Sequence, residues 1–368
     1  MNDTTDKIFR DLRPAALDEL AEDAHARRRD TDLAHALRAV PARRSRRPVL
    51  ALAAVTAAAA ATGVLVVTDG DGPAPAPGPG TPAPATAQDA RTVLLASAHT
   101  AERTPVKPGR YWYTRLRTQH VQNERMDRKG LKPGQRSRII KLPYTYITAN
   151  TQESWLSRTG RDRTRSITAV NAKTSFPTAG DEAAWRKAGA PRLMDRTERE
   201  RSVNDYDEPI THTIGNENVP TDRLLKLPIE PAALARELRR RYDADVRDAN
   251  DGKGPEKSVD PYPSYVWGAA QDLLSGPITP GTKAALYRVL ADLPEVRGEG
   301  RATDQLGRTG VAVTMRGPVA GLRLRLIIDP RTANLLAYES GTSPVAGKPA
   351  LSMAYESMGW VDALTARR

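Results

Sequence analysis

"GVAVTMRGPVAGLRLRLIIDPRTANLLAYES", residues 310–340, alternates apolar and polar side chains with a period of two. Val311, Val313 and Met315 fall on one side of such a chain, as do Leu322, Leu324, Leu326 and Ile328, while Arg316, Arg323 and Arg325 fall on the other. A pleated strand points successive side chains to opposite faces, so the pattern predicts antiparallel strands with one face buried. "DPRTAN" (329–334) has the residues of a turn leading into "LLAYES", and "LSMAYESMGW" (351–360) supplies a further strand.

Upstream the period changes. "PAALARELRRRYDADV" (231–246) places Leu234, Leu238, Tyr242 and Val246 at steps of four, and "SYVWGAAQDLLSG" (264–276) puts Val266, Ala270, Leu273 and Leu274 on one stripe. Thr279 and Pro280 give the N-cap and first turn of a third helix carrying Leu286, Val289, Leu290 and Leu293, stopped by Pro294. Strands return further back in "GRYWYTRLRTQH" (109–120), "SRIIKLPYTYITAN" (137–150) and "TQESWLSRTGRDRTRSITAV" (151–170), the last divided by a Thr159-Gly160 turn. "AQDARTVLLASAHTAE" (87–102) is a helix with Val93, Leu94 and Ala98 on one side. Strands, then helices, then strands predict an α+β domain over 89–368, a curved antiparallel sheet with helices packed on one face.

The first 88 residues are of another kind. Residues 49–68 carry no charge and would span about 30 Å as a helix, the thickness of a bilayer's hydrocarbon core. Arg43, Arg44, Arg46 and Arg47 stand just before this run, and residues 69–88 contain no Lys or Arg. The positive-inside rule then sets residues 1–48 as a partly helical cytoplasmic tail, 49–68 as a single transmembrane helix and everything beyond as extracytoplasmic. Residues 69–88 are rich in Pro, Ala and Gly and read as an extended stalk. "SRRPVL" (45–50) resembles a twin-arginine export signal, which leaves Sec and Tat insertion both open.

The net charge is +12, and the basic excess lies wholly in residues 89–368, with 45 basic and 33 acidic groups. On the outer side of a membrane such a surface meets anionic lipid or wall polymer rather than nucleic acid, although most such charge is simply solvated. The chain has no cysteine, which excludes disulfides, thiolate chemistry and cysteine-ligated zinc.

Catalytic patterns are missing: no nucleophile elbow, Walker loop, dinucleotide fingerprint or paired-histidine zinc motif is present. His99, His120 and His212 have no ligand-type spacing. "DANDGKG" (248–254) departs from a calcium loop at Gly252 and Val259 and reads as an acidic turn. Glu153, Asp162, Glu182, Asp304 and Asp329 sit near strand ends or turns, and Asp304 and Asp329 carry the residue type that closes hairpins. Among the aromatics, Trp112, Trp155 and Trp267 are candidates to line a ligand groove, against the commoner role of packing the core. No cofactor and no metal site is expected.

"LRPAALDELAEDAHARRRDTDLAHAL" (12–37), the arginine-flanked apolar run, "RYWYTRLRT" (110–118), "ESWLSRTGR" (153–161) and "LIIDPRTANLLAYE" (326–339) together resemble an actinobacterial single-pass membrane family of uncharacterised function, often encoded beside extracytoplasmic-function sigma factors. The resemblance implies topology and a sigma-factor pathway protein as partner, with no reaction and no catalytic residues. More distantly, the element order and the Asp-Pro-x-Thr hairpin are similar to the half-barrel of lipoprotein carriers and of periplasmic sensors that restrain anti-sigma factors, whose concave sheet holds an acyl chain. Residues 192–222 depart from that minimal pattern. The sequence therefore leads to a membrane-anchored, extracytoplasmic ligand- or partner-binding protein of the cell envelope without catalysis, with a lipid as a candidate ligand and signalling through the tail as a candidate role, and with wall-polyanion adhesion or an unrecognised hydrolase as alternatives.

Overall fold

The computed structural model describes residues 89–127, 138–159, 162–207, 211–250 and 259–368. The cytoplasmic tail, the transmembrane run with Arg43, Arg44, Arg46 and Arg47, the stalk and half of the acidic turn at 248–254 lie outside the described residues. Among the described residues no helix is long and apolar enough to cross a membrane.

The chain begins with α1 (Ala90–Arg103), followed by β1 (Tyr111–Asp127), β2 (Arg138–Ser157), β3 (Thr164–Thr168) and β4 (Lys173–Ser175). Short elements come next: α2 (Ala179–Lys187), α3 (Arg196–Arg199), β5 (Ser202–Tyr206), the hairpin β6 (His212–Ile214) and β7 (Glu217–Val219), and α4 (Thr221–Leu224). Three longer helices, α5 (Pro231–Asn250), α6 (Tyr262–Ser275) and α7 (Pro280–Ala291), lead into β8 (Arg297–Thr303), β9 (Thr309–Arg316), β10 (Arg323–Ile328), β11 (Leu335–Thr342) and β12 (Pro349–Val361). The class is α+β, and every strand pair is antiparallel.

Ten strands form one sheet in the order β5-β3-β2-β1-β12-β11-β10-β9-β8, with β4 beside β2. The two strand blocks join where β1 pairs with β12, from Tyr111 opposite Val361 to His120 opposite Leu351. The strand expected at 137–150 and the part of 151–170 before its Thr159-Gly160 turn are one continuous β2, because Asn150-Thr151 falls inside the ladder with β1 and nothing there breaks it. Within the described part of 192–222, β5 extends the sheet beside β3, and the β6–β7 hairpin closes onto the helices.

The helices lie against one face. Trp112 on β1 donates its indole N–H to the Ser275 carbonyl at the end of α6 (2.9 Å), and Tyr287 of α7 donates its hydroxyl to Ala333 in the β10–β11 turn (2.7 Å). Val313, Met315, Leu326 and Ile328 are buried on this side, as the alternation predicts. Thr279 caps α7 by accepting from the Thr282 N–H (3.1 Å). α1 packs along α7, joined by Arg91–Asp292 and Glu102–Arg288 pairs. In α5 the inward stripe departs from expectation beyond Leu238: Arg241 and Asp245 are buried instead of Tyr242 and Val246. The β6–β7 hairpin explains it, because Glu217 accepts from Arg241 (2.6 Å) and the Asn216 N–H donates to Asp245 (2.9 Å).

The opposite face is filled differently. In a flat sheet β9 and β1 would stand about 19 Å apart, four steps of strand spacing. Yet Gln305, in the β8–β9 turn, donates to the carbonyls of Arg117 on β1 (2.8 Å) and Ser352 on β12 (3.2 Å). The strip therefore coils until this turn covers its own face. Ala302, Ala312, Ala337 and Ala354 lie beneath it with Ile327, and Leu306 packs on them; small side chains permit the close approach. β-bulges displace Leu336 and Glu356 from the ladders, and Arg308 donates to the carbonyls of Leu336 (2.9 Å) and Tyr355 (2.7 Å) beside them. Arg308 is itself held by Asp304, whose carboxylate also accepts the N–H groups of Leu306 (2.9 Å) and Arg308 (3.0 Å). Asp304 thus closes a turn, as its residue type implied. Asp304→Ala leaves two N–H groups without their acceptor and the half-buried Arg308 guanidinium without its carboxylate, and a loss of about 2 kcal/mol is expected in urea unfolding.

Candidate functional site

The three candidate tryptophans do not share a surface. Trp112 lies on the helix side, edge-on to Trp360 with ring centroids 5.4 Å apart. Trp155 lies on the other side of the sheet, 5.0 Å from Tyr113, and Trp267 is buried within α6. All three are less than a tenth exposed. The indole N–H of Trp155 donates to the Ala366 carbonyl (2.7 Å), whereas that of Trp267 has no hydrogen-bond partner among the described residues.

Around Trp155 the residues after β12 form a strap. Leu364 packs on Tyr111, Tyr113, Trp155 and Ile167, and Ser357 donates to the Arg368 carbonyl (2.8 Å). Beneath the strap the buried carboxylate of Glu153 accepts from Arg367 (2.7 and 2.9 Å), Arg115 (2.7 Å) and the Tyr113 hydroxyl (2.9 Å). The Arg367 hydrogen bonds, helped by those from Tyr113 and Arg115, hold its pKa down at about 2 against the opposing effect of burial. A carboxylate so fully engaged is an ion-pair anchor, not a proton carrier.

The other carboxylates raised by the sequence are engaged too. Asp162 pairs with Arg110, Glu182 with Arg186 one helical turn on, and Asp329 accepts from the Arg331 N–H (2.9 Å) and the Thr332 hydroxyl (3.0 Å) within its turn. The histidines are apart. His99 lies on α1 near Arg103, and His212 faces the Thr221 hydroxyl (3.2 Å) with its pKa pushed down to about 4 by burial. No cluster of three His, Asp or Glu suited to a metal exists among the described residues.

What the structure does bring together is a floor on the helix side of β1, β2, β3 and β5. Along β1 this row reads Trp112, Thr114, Leu116, Thr118 and His120; opposite, on β2, it reads Leu156, Ser154, Gln152, Asn150 and Thr148. Thr164, Ser166 and Thr168 continue it on β3, and Tyr206, Asn204 and Ser202 on β5. None of these carries a formal charge, in a chain of which 27% is Asp, Glu, Lys or Arg. The reverse face of the same strands carries Arg115, Arg117, Glu153, Arg165 and Asp205. Most of the row is half-buried.

Some of these groups satisfy one another, as Thr114 with Ser154 (2.5 Å) and Gln152 with Ser166 (3.3 Å). Thr118, His120, Thr148 and Asn150 form a contiguous patch across β1 and β2, His120 opposite Thr148 and Thr118 opposite Asn150. Burial lowers the pKa of His120, which keeps the patch neutral at pH 7. Arg125 and Glu198 stand near Tyr146 at one end of the floor, and Asp272 near Tyr338 and Tyr355 where it meets α6. The sequence reading missed this floor; its signal was Thr, Asn, Gln and Ser at alternate positions of 148–154.

No known protein family matches the chain, and no curated protein or solved structure matches it either.

Because the folded-state pKa of Glu153 is depressed, its contribution to stability is present above about 4.5 and is lost as pH falls toward about 2. Glu153→Gln is expected to unfold at lower urea concentration than the parent at pH 7, and the two midpoints are expected to converge on acidification through that window.

Proposed function

We propose that this chain is a membrane-anchored, extracytoplasmic binding protein of the cell envelope that performs no catalytic step and holds its ligand on the helix-side face of its sheet. The observation that carries this reading is the uncharged floor of β1, β2, β3 and β5, where half-buried polar side chains stand together on rigid strands. Binding is favoured over hydrolysis because the carboxylates named above are occupied by arginines and backbone N–H groups, and no two of them converge. Adhesion to polyanions is the weaker alternative: Arg110, Arg115, Arg165, Arg241, Arg308 and Arg325 are among many arginines already paired with carboxylates. The anchor and the outward orientation rest on the uncharged run at 49–68 and the arginines before it, and the sigma-factor connection on the resemblance of the tail.

Two measurements test the proposal on the whole chain. A C-terminal alkaline phosphatase fusion is expected to be active and to sediment with membranes; a cytosolic reporter or a freely soluble product contradicts the topology. Purified chain, extracted with organic solvent and analysed by mass spectrometry, is expected to release a bound small molecule in near-stoichiometric amount. An empty protein that also fails to take one up from an envelope extract contradicts the binding reading.

A further inference from the structure

We infer that the Thr118–His120–Thr148–Asn150 patch is a subsite for a neutral, polyhydroxylated group, a glycan without phosphate, sulfate or carboxylate. The inference rests on the binding reading above and names the chemistry of the ligand. The first argument is electrostatic. An anion brought onto this half-buried floor would give up water without meeting a cation in the patch itself, because no Lys or Arg stands among the helix-side residues from Trp112 to His120 on β1, from Thr148 to Leu156 on β2, or on β3 and β5. Among the described residues near its borders, Glu198 and Asp272 are negative and Arg125 is positive, and further along the β1–β2 ladder Glu124 stands opposite Lys141. A cation is disfavoured there by the same reasoning, since no carboxylate occupies that stretch of the rows.

The second argument is hydrogen-bond capacity. Hydroxyls accept and donate, the Asn amide offers a donor and an acceptor side by side, and a neutral imidazole offers one of each. Such a set matches the vicinal hydroxyls of a sugar, which demand both roles at short spacing. Paired strands fix the separation: His120 and Thr148 face each other across one ladder step, as do Thr118 and Asn150, at about 5 Å between strands. A wholly apolar ligand fits poorly, because it would strip water from the partly exposed Thr118, His120 and Asn150 and return nothing.

The test uses the full chain in detergent on an array of neutral oligosaccharides set beside sulfated, phosphorylated and uronic-acid glycans. Phosphatidylcholine vesicles with and without a neutral glycosyl diacylglycerol form a second arm, which separates a free glycan from a lipid-borne one. Binding to neutral glycans is expected, changing less than about twofold between about 0.05 M and about 0.5 M NaCl. Thr118→Val, which keeps shape, and Asn150→Leu are each expected to weaken it about tenfold or more, one lost hydrogen bond being worth about that factor. Binding confined to the acidic glycans and weakened by salt overturns the inference, as does neutral binding that both variants leave intact. If no glycan binds while the purified chain still releases another ligand, the glycan assignment fails and the binding reading stands; if neither is found, both fail.

Discussion

The domain depends on one non-local pairing, that of β1 with β12. The strands on either side are local meanders or near neighbours, but this ladder joins residues 231 to 250 positions apart, from His120 opposite Leu351 to Tyr111 opposite Val361, and must offset the loop-closure entropy of everything between. Three things support the seam: Trp112 against Trp360 on the helix side, Arg115 with Glu356 on the other, and Arg117 and Ser352 sharing the amide of Gln305. Without it the sheet is two unrelated halves, one with an aliphatic helix-side face and one with a hydroxyl- and amide-rich face. With it, a single surface passes from one chemistry to the other.

The two faces of the sheet are stabilised by different means. On the helix side the core is conventional, with aliphatic strand residues under α1, α6 and α7. On the other side the coil of the strip, four alanines and the Asp304–Arg308 turn fill the space at one end, while the Glu153 cluster and the strap fill the other. The concavity that a half-barrel would offer to an acyl chain is thus occupied by the protein's own groups on the coiled side. The half-buried polar surface of the sheet lies instead on the helix side.

Much of the architecture was legible where periodicity is strong and local. The alternation from Val311 to Ile328, the capped helix at Thr279 and the turn at Asp304 follow from rules that act over a few residues. The sequence could not show that Arg241 and Asp245 would turn inward, because their partners lie on a distant hairpin. Nor could it separate Trp112 from Trp155, whose opposite parity matters only once the register between β1 and β2 is known. The neutral floor was hidden for a related reason: its rows are unremarkable singly, and their lack of charge becomes conspicuous only when four strands are aligned.

The margins of the sheet bear on how anything can engage it. β5 is only five residues long and displays Asp205 tied to Arg165, while β8 is broken by a bulge between Gly298 and Gly300 and studded with Arg297, Glu299 and Arg301. A visiting peptide that sought to extend the sheet would find at either border little regular backbone to zip against. Under the proposed binding function, selectivity would accordingly reside in side-chain groups rather than in the amide ladder.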